Sequence, residues 1–207
     1  MNDHARRVYD SVLGLQCDAD NPTPLVRLNR VIPFKHTQVY AKLEWFNPFG
    51  AVKDRVAANL LADGEARRSV GPNQKLVEPT SGNTGMALAM LANVKGYTLT
   101  TPLSSEIPLE KRTMLRFFGA DVMELQDTLC PAPGAPEGAI AKAMELGDRP
   151  DFHMLNQYVN EANPDAHYKT TGPEIWRQTG GEVTHFAAGL GTCGTVTGTG
   201  RFLKEQC

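Results

Sequence analysis

Apolar and polar positions along this chain repeat with two rhythms, a period of two in short runs and a helical period in longer ones. Gln38-Val-Tyr-Ala-Lys-Leu-Glu44 alternates and suits a strand. Residues 53–68 suit a helix, with Val56, Leu60 and Leu61 at helical spacing and Gly71 beyond its end. Short strands are expected at 75–78, 97–101, 121–125 and 152–155. Between them helices are expected over 86–95, stopped by Gly96, over 108–118, stopped by Gly119, and over 136–146. Pro108 is tolerated in a first turn. A further helix spans 163–178, and Pro173 should end or kink it. Val183-Thr-His-Phe-Ala-Ala188 reads as a strand, followed by a glycine-rich loop and a last helix from Thr195. Cys130-Pro-Ala-Pro-Gly-Ala-Pro136 reads as a surface loop.

This alternation predicts an α/β fold with mainly parallel sheets. In open sheets of that kind, ligands bind outside the carboxyl ends of the strands. Two strand–loop–helix junctions stand out by composition: residues 80–85 and 189–195.

Composition narrows the function classes. The 207 residues carry a net charge of −2, with 41% hydrophobic and 21% charged residues, an ordinary globular balance. A nucleic-acid partner leaves a basic footprint that is missing here. No Lys/Arg block suits an anionic membrane, and no apolar run approaches the ~18 residues of a spanning helix. No secretory signal is visible at the N-terminus. The cysteines Cys17, Cys130, Cys193 and Cys207 fit neither a C-x-x-C nor a zinc pattern, so reduced thiols in a cytoplasmic protein are expected. The five histidines are scattered, which leaves no metal site. No G-x-S-x-G elbow supports a hydrolase.

Three segments can carry chemistry. Gly189-Leu-Gly191-Thr-Cys-Gly194 lies between a strand and a helix, where free backbone N–H groups and the helix dipole suit a phosphate. It fits equally a tight turn with no ligand, or a dinucleotide loop. Thr80-Ser81-Gly82-Asn83-Thr84-Gly85 opens a helix with more hydroxyl and amide groups than one N-cap requires, and so suits a small anion such as a carboxylate. Lys53, in Asn47-Pro-Phe-Gly-Ala-Val-Lys53-Asp54-Arg55, stands at a helix start. The dipole there disfavours its charge, and a neutral amine is a nucleophile able to form a Schiff base. A surface lysine beside Asp54 is the plain alternative.

Taken in order and spacing, these motifs resemble the fold-type II pyridoxal-phosphate enzymes (tryptophan synthase β-like), most closely the cysteine synthase (O-acetylserine sulfhydrylase) and cystathionine β-synthase group. The resemblance runs from Asn21-Pro-Thr-Pro-Leu25 to the end of the chain. It implies two open twisted α/β domains with the C-terminal one incomplete. Residues 1–52 would form an N-terminal segment partly crossing to the larger domain, 53–157 the smaller domain, and 158–207 the start of the larger one. It implies pyridoxal 5′-phosphate as cofactor, with Lys53 as the Schiff-base lysine. Asn83 would contact the cofactor's 3′ oxygen, and Gly191, Thr192, Cys193, Gly194 and Thr195 would cup its phosphate. Thr80, Ser81, Gly82, Thr84 and Gln157 would hold the substrate carboxylate. Gln157 precedes Asn163-Pro164 and Lys169-Thr-Thr-Gly-Pro-Glu-Ile-Trp176, as a family glutamine does.

The activity implied is β-replacement, making L-cysteine from O-acetyl-L-serine or O-phosphoserine and sulfide, by a cytoplasmic homodimer that can bind an acyltransferase tail. Alternatives are cystathionine β-synthase or serine/threonine dehydratase activity, a non-catalytic cofactor-binding remnant, and a dinucleotide-binding domain. Ala51 and Cys193 stand where many members carry Ser and Gly. The chain stops at Cys207, about a third short of the family's length, and the expectation is a fragment. The absent part would carry the hydroxyl residue that faces the pyridine nitrogen.

Overall fold

A computed structural model describes residues 8–71, 73–126 and 138–206. Two antiparallel strands come first, β1 (Leu25–Arg27) and β2 (Tyr40–Lys42), paired Leu25 to Lys42. Then follow α1 (Lys53–Ala66), β3 (Lys75–Val77), α2 (Asn83–Lys95), β4 (Leu99–Ser104), α3 (Leu109–Phe117), β5 (Asp121–Leu125), α4 (Gly138–Gly147) and β6 (Phe152–Met154). The chain closes with α5 (Ala162–Lys169), α6 (Thr171–Gln178) and α7 (Gly194–Gln206).

Strands β3 to β6 form one sheet in the order β5-β4-β3-β6, every pair parallel. The chain adds β4 and β5 on one side of β3, then returns to place β6 on the other. The crevice between the carboxyl ends of β3 and β6 is therefore the topological switch point, where open α/β sheets bind ligands. Helices α1 and α2 bury Val56, Leu60, Leu61, Leu88 and Leu91 with Leu76 and Leu99 of the sheet. The periodic trio expected to face inward on α1 is fully buried.

The expected α/β class and parallel sheet agree with this architecture. Several boundaries differ for physical reasons. The run 183–188 pairs with no neighbour among the described residues and is irregular chain rather than a strand. A strand requires a partner ladder, which local alternation does not supply. The helix expected over 163–178 breaks at Thr170, whose φ of −122° leaves the helical region, and not at Pro173. Pro173 instead sits in the first turn of α6, where a missing N–H breaks no intrahelical bond. α2 begins at Asn83, three residues before its expected start, so the last residues of the Ser-Gly-Asn-Thr-Gly run already belong to the helix. β4 extends to Ser104 and tolerates Pro102, because β3 pairs with β4 only as far as Val77–Thr100. β1, which the sequence pattern did not suggest, is three residues long, and two of them are exposed. The Cys130–Pro136 loop, the expected helix start at Pro136, and Cys130 and Cys207 lie outside the described residues. Among the described residues, no helix is long and apolar enough to cross a membrane.

α7 crosses α5 at backbone distance because its first turns carry glycines. A Cβ on Gly198 would lie 1.9 Å from the carbonyl oxygen of Pro164, and one on Gly194 would lie 1.9 Å from Oδ1 of Asn163. This contact fixes the loop that precedes α7 against the start of α5.

Candidate active site

Lys53 is the first residue of α1, as its sequence context suggested. The two residues after it anchor the helix start. Asp54 is fully buried and accepts the N–H of Phe49 at 2.6 Å, closing the Asn47–Val52 loop onto the helix. It does not serve as a surface partner for Lys53, and burial pushes its carboxyl up to about 6. Arg55 is buried between two carboxylates, 2.8 Å from Glu44 and 2.5 Å from Glu174 of α6, while Lys42 reaches Glu174 at 2.6 Å. Two cations and two anions thus balance in the interior, each hydrogen-bonded, and tie α1 to the β2 end and to α6.

Held this way, Lys53 is half-buried, and its Nζ donates to Oγ1 of Thr192 at 2.9 Å. Burial pushes the amine below the ordinary lysine value, and nearby Cys193 opposes this weakly. Thr192 also accepts a hydrogen bond from Nδ2 of Asn163 at 2.8 Å. Two donors fill the acceptor positions of this hydroxyl, so its own hydrogen is left to donate into the open side of the loop. Gly189 and Gly191 have open space where a Cβ would stand. The first backbone bond into α7 runs from Thr197 to Cys193 at 3.0 Å. The N–H groups ahead of it in the first turn have no intrahelical acceptor. Cys193 has a φ of 60°, the left-handed region, and is exposed. This cradle offers hydroxyl and backbone donors to an anion.

Asn163 carries the connection onward. Its Nδ2 donates to the carbonyl of Gln157 at 2.8 Å, and it is buried. The Gln157 side chain accepts from the Thr84 hydroxyl at 2.8 Å, in the first turn of α2. Gln157 is placed by Glu78, at the carboxyl end of β3, whose oxygens accept the N–H groups of Asn156 at 2.7 Å and Gln157 at 3.1 Å. Asn156 has a φ of 55°, so this clamp holds a strained turn. Burial raises the Glu78 carboxyl to about 7. One run of hydrogen bonds therefore links Lys53, Thr192, Asn163, Gln157 and Thr84 across the β3–β6 crevice.

Of the expected site residues, Lys53 bonds Thr192 and Thr84 bonds Gln157, and Asn163 joins the two pairs. Gly191, Cys193, Gly194 and Thr195 surround Thr192 at the start of α7. Thr80 is buried and turns its hydroxyl toward the N–H of Gly82 at 3.4 Å. Ser81 and Gly82 are half-buried, and Asn83 is exposed at the first position of α2. Sequence reasoning did not assign roles to Asn163, Glu78 or His167. A lone carboxylate ending the apolar run Leu76-Val77-Glu78 was the one available signal for Glu78.

Comparison with known proteins follows the same lines. The sequence profile of the family described as pyridoxal-phosphate dependent enzyme matches residues 17–207. Cysteine synthase B of Escherichia coli (strain K12) is 45% identical over 184 residues, covering 89% of this chain and 59% of that protein. Among solved structures, a cysteine synthase from Entamoeba histolytica superposes with a TM-score of 0.85 at 32% identity, over 100% of this chain and 60% of that one. An O-ureido-L-serine synthase superposes with a TM-score of 0.84 at 36% identity, over 96% and 60%. The chain thus spans about 60% of the length of the relatives it matches.

Proposed function

The chain belongs to the family of pyridoxal-phosphate dependent enzymes, and on that premise we propose that the protein makes L-cysteine by β-replacement from O-acetyl-L-serine, or O-phosphoserine, and sulfide. The observation that carries the reading is the continuity from Lys53 through Thr192, Asn163 and Gln157 to Thr84. It joins an amine, an anion cradle and a second anion loop in one crevice.

The residues present fit the cofactor. Lys53 would hold its aldehyde carbon, residues 191–195 its phosphate and Asn83 its 3′ oxygen. When bound, pyridoxal phosphate supplies an electron sink for charge developing at the substrate's α carbon. The protein's part is orientation and proton transfer. The hydroxyls and backbone of Thr80, Ser81, Gly82 and Thr84 would receive the substrate carboxylate. With its Oε1 occupied by Thr84, Gln157 can offer that carboxylate only its amide N–H side, which also faces Glu78. Fixing the carboxylate orients the α C–H bond toward the lysine. Burial favours the neutral form of Lys53, whose Nζ would take the α proton as the acetate or phosphate group leaves and return it after sulfide adds.

The names of the relatives support a synthase acting at the β position of a serine-derived substrate. The motif resemblance further supports a homodimer, with an acyltransferase tail as a competitor for the cleft; sedimentation with and without such a peptide tests both. The activity test is direct. The chain is loaded with pyridoxal phosphate, supplied with O-acetyl-L-serine and sulfide, and assayed for L-cysteine. Loaded chain that yields none from either acetyl or phosphoryl substrate overturns the β-replacement reading.

A further inference from the structure

Behind the anion cradle lies a buried imidazole with a hydrogen-bond partner on each ring nitrogen. Nδ1 of His167 is 2.9 Å from Oγ1 of Thr171, and Nε2 is 3.2 Å from Oγ1 of Thr195. Thr171 is buried at the start of α6, and Thr195 is partly exposed in the first turn of α7. We infer that His167 is a positioning residue: it donates Nε2–H to Thr195 and so turns the Thr195 hydroxyl hydrogen outward, to an anion seated at the start of α7. This deepens the phosphate-loop assignment and rests on it.

The tautomer follows from where each hydroxyl can send its hydrogen. Among the described residues, Nδ1 of His167 is the side-chain acceptor in reach of the Thr171 hydroxyl. Were Nδ1 protonated, that buried hydroxyl would be left with a hydrogen and no acceptor, an expensive state inside a protein. Thr195 faces the open side of the cradle, so its hydrogen can point outward at no such cost. Thr171 therefore donates to Nδ1, the imidazole proton resides on Nε2, and Thr195 accepts from it. An imidazolium would meet the same objection. Burial and then the nearby Arg55 charge push His167 down to about 3, so the ring stays neutral at ordinary pH. Thr192 arrives at the same state by a different route, since Asn163 donates to it from behind, joined by Lys53 while that amine is free of cofactor. The two threonines of the loop are both turned into donors by groups behind them. That is the arrangement a phosphate needs and a cation would not tolerate.

The test has two arms. In the first, the histidine-labelled 207-residue chain is examined by long-range proton–nitrogen NMR without cofactor. The expected result is an Nε2–H tautomer at His167; an Nδ1–H tautomer or an imidazolium overturns the relay. In the second, dissociation constants for pyridoxal phosphate and for phosphate-free pyridoxal are measured by spectral titration. Thr195→Val and His167→Phe should weaken pyridoxal phosphate about tenfold, the loss of one hydrogen bond to a charged group, and leave pyridoxal unchanged. His167→Gln, which keeps an N–H donor near the Nε2 position, should restore most of the affinity. Equal losses for both ligands would reduce His167 to a structural residue and overturn the proposal. An Nε2–H tautomer in a wild-type chain that binds both ligands equally overturns the phosphate-loop reading, and the role of Thr195 with it. An Nδ1–H tautomer with discrimination intact overturns the relay alone.

Discussion

The hydroxyl of Thr84 donates to Oε1 of Gln157 at 2.8 Å, closing the crevice between the segments that follow β3 and β6. The partners are 73 residues apart in sequence, and both are buried. The bond sets which way the Gln157 amide points, and so where its N–H donors lie. Thr84→Val keeps the shape and removes the donor, leaving a buried carbonyl oxygen unpaired at a cost of ~1–3 kcal/mol. The amide then loses the partner that fixes its oxygen. The expected outcome is about a tenfold rise in KM for the amino-acid substrate, with pyridoxal phosphate affinity unchanged. Steady-state kinetics and a cofactor titration check this, and an unaltered KM removes the pair from substrate binding.

Among the described residues, Lys53 is the one amine brought onto the anion cradle, through Thr192. Lys53→Ala should abolish borohydride-stable attachment of pyridoxal phosphate at residue 53, read by peptide mass, and lower cysteine formation by ~10³-fold. Thr192→Val should leave attachment possible but weaken cofactor retention. A Lys53→Ala chain that still traps the cofactor at full stoichiometry, on another lysine, counts against the assignment.

The parts of this site legible in the sequence are those whose signal is local. Lys53 at a helix start, the hydroxyl-rich run before α2 and the glycines before α7 each announce themselves by residue type and position. The long-range contacts do not. Asn163 reads as an ordinary residue beside a proline, yet it ties Thr192 to Gln157 because α7 lies against α5. Glu78 reads as the polar end of a strand; only the strand order shows that its carboxylate meets the Asn156 and Gln157 amides, reached after three crossovers. The expected strand at 183–188 failed for the complementary reason. Alternation establishes that a segment can pair, and pairing depends on what lies beside it. The helix break at Thr170 was misplaced by three residues because proline is harmless in a first turn.

Gly194 and Gly200 share α7 but face different surroundings, which separates packing from propensity. An alanine Cβ at Gly194 would lie 1.9 Å from Oδ1 of Asn163, whose amide cannot swing aside without leaving Gln157 and Thr192. Gly194→Ala should cost ~1–3 kcal/mol of stability by overpacking and should also loosen cofactor binding. Gly200 has open space where a Cβ would stand. Gly200→Ala should be neutral or stabilise by up to ~1 kcal/mol, through helix propensity. Thermal unfolding of both variants decides, and equal effects would remove the close α5–α7 approach as the cause.

Glu78 makes stability depend on pH in a direction opposite to that of a salt-bridged carboxylate. Burial holds its carboxyl at about 7 in the fold against an ordinary 4.5. The folded chain therefore retains a proton that the unfolded chain has lost across that interval. A raised carboxyl pKa means stability is fully present below the unfolded value and is lost as pH rises through the folded one. The size of the shift corresponds to about 3 kcal/mol as an upper figure. Glu78→Gln removes the titration. The glutamine carbonyl can still accept one of the two N–H groups at Asn156 and Gln157, so the other is lost as an offset that does not vary with pH. Asp54, also raised, and His167, lowered, titrate in both proteins and cancel in the difference. Urea unfolding at several pH values should thus show wild type losing stability relative to the variant between pH ~4.5 and ~7, most steeply midway between the two and levelling off above ~7. A pH-independent difference would mean that Glu78 stays charged in the fold, and the clamp on Asn156 and Gln157 would then be a permanent anion rather than one that titrates near neutral pH.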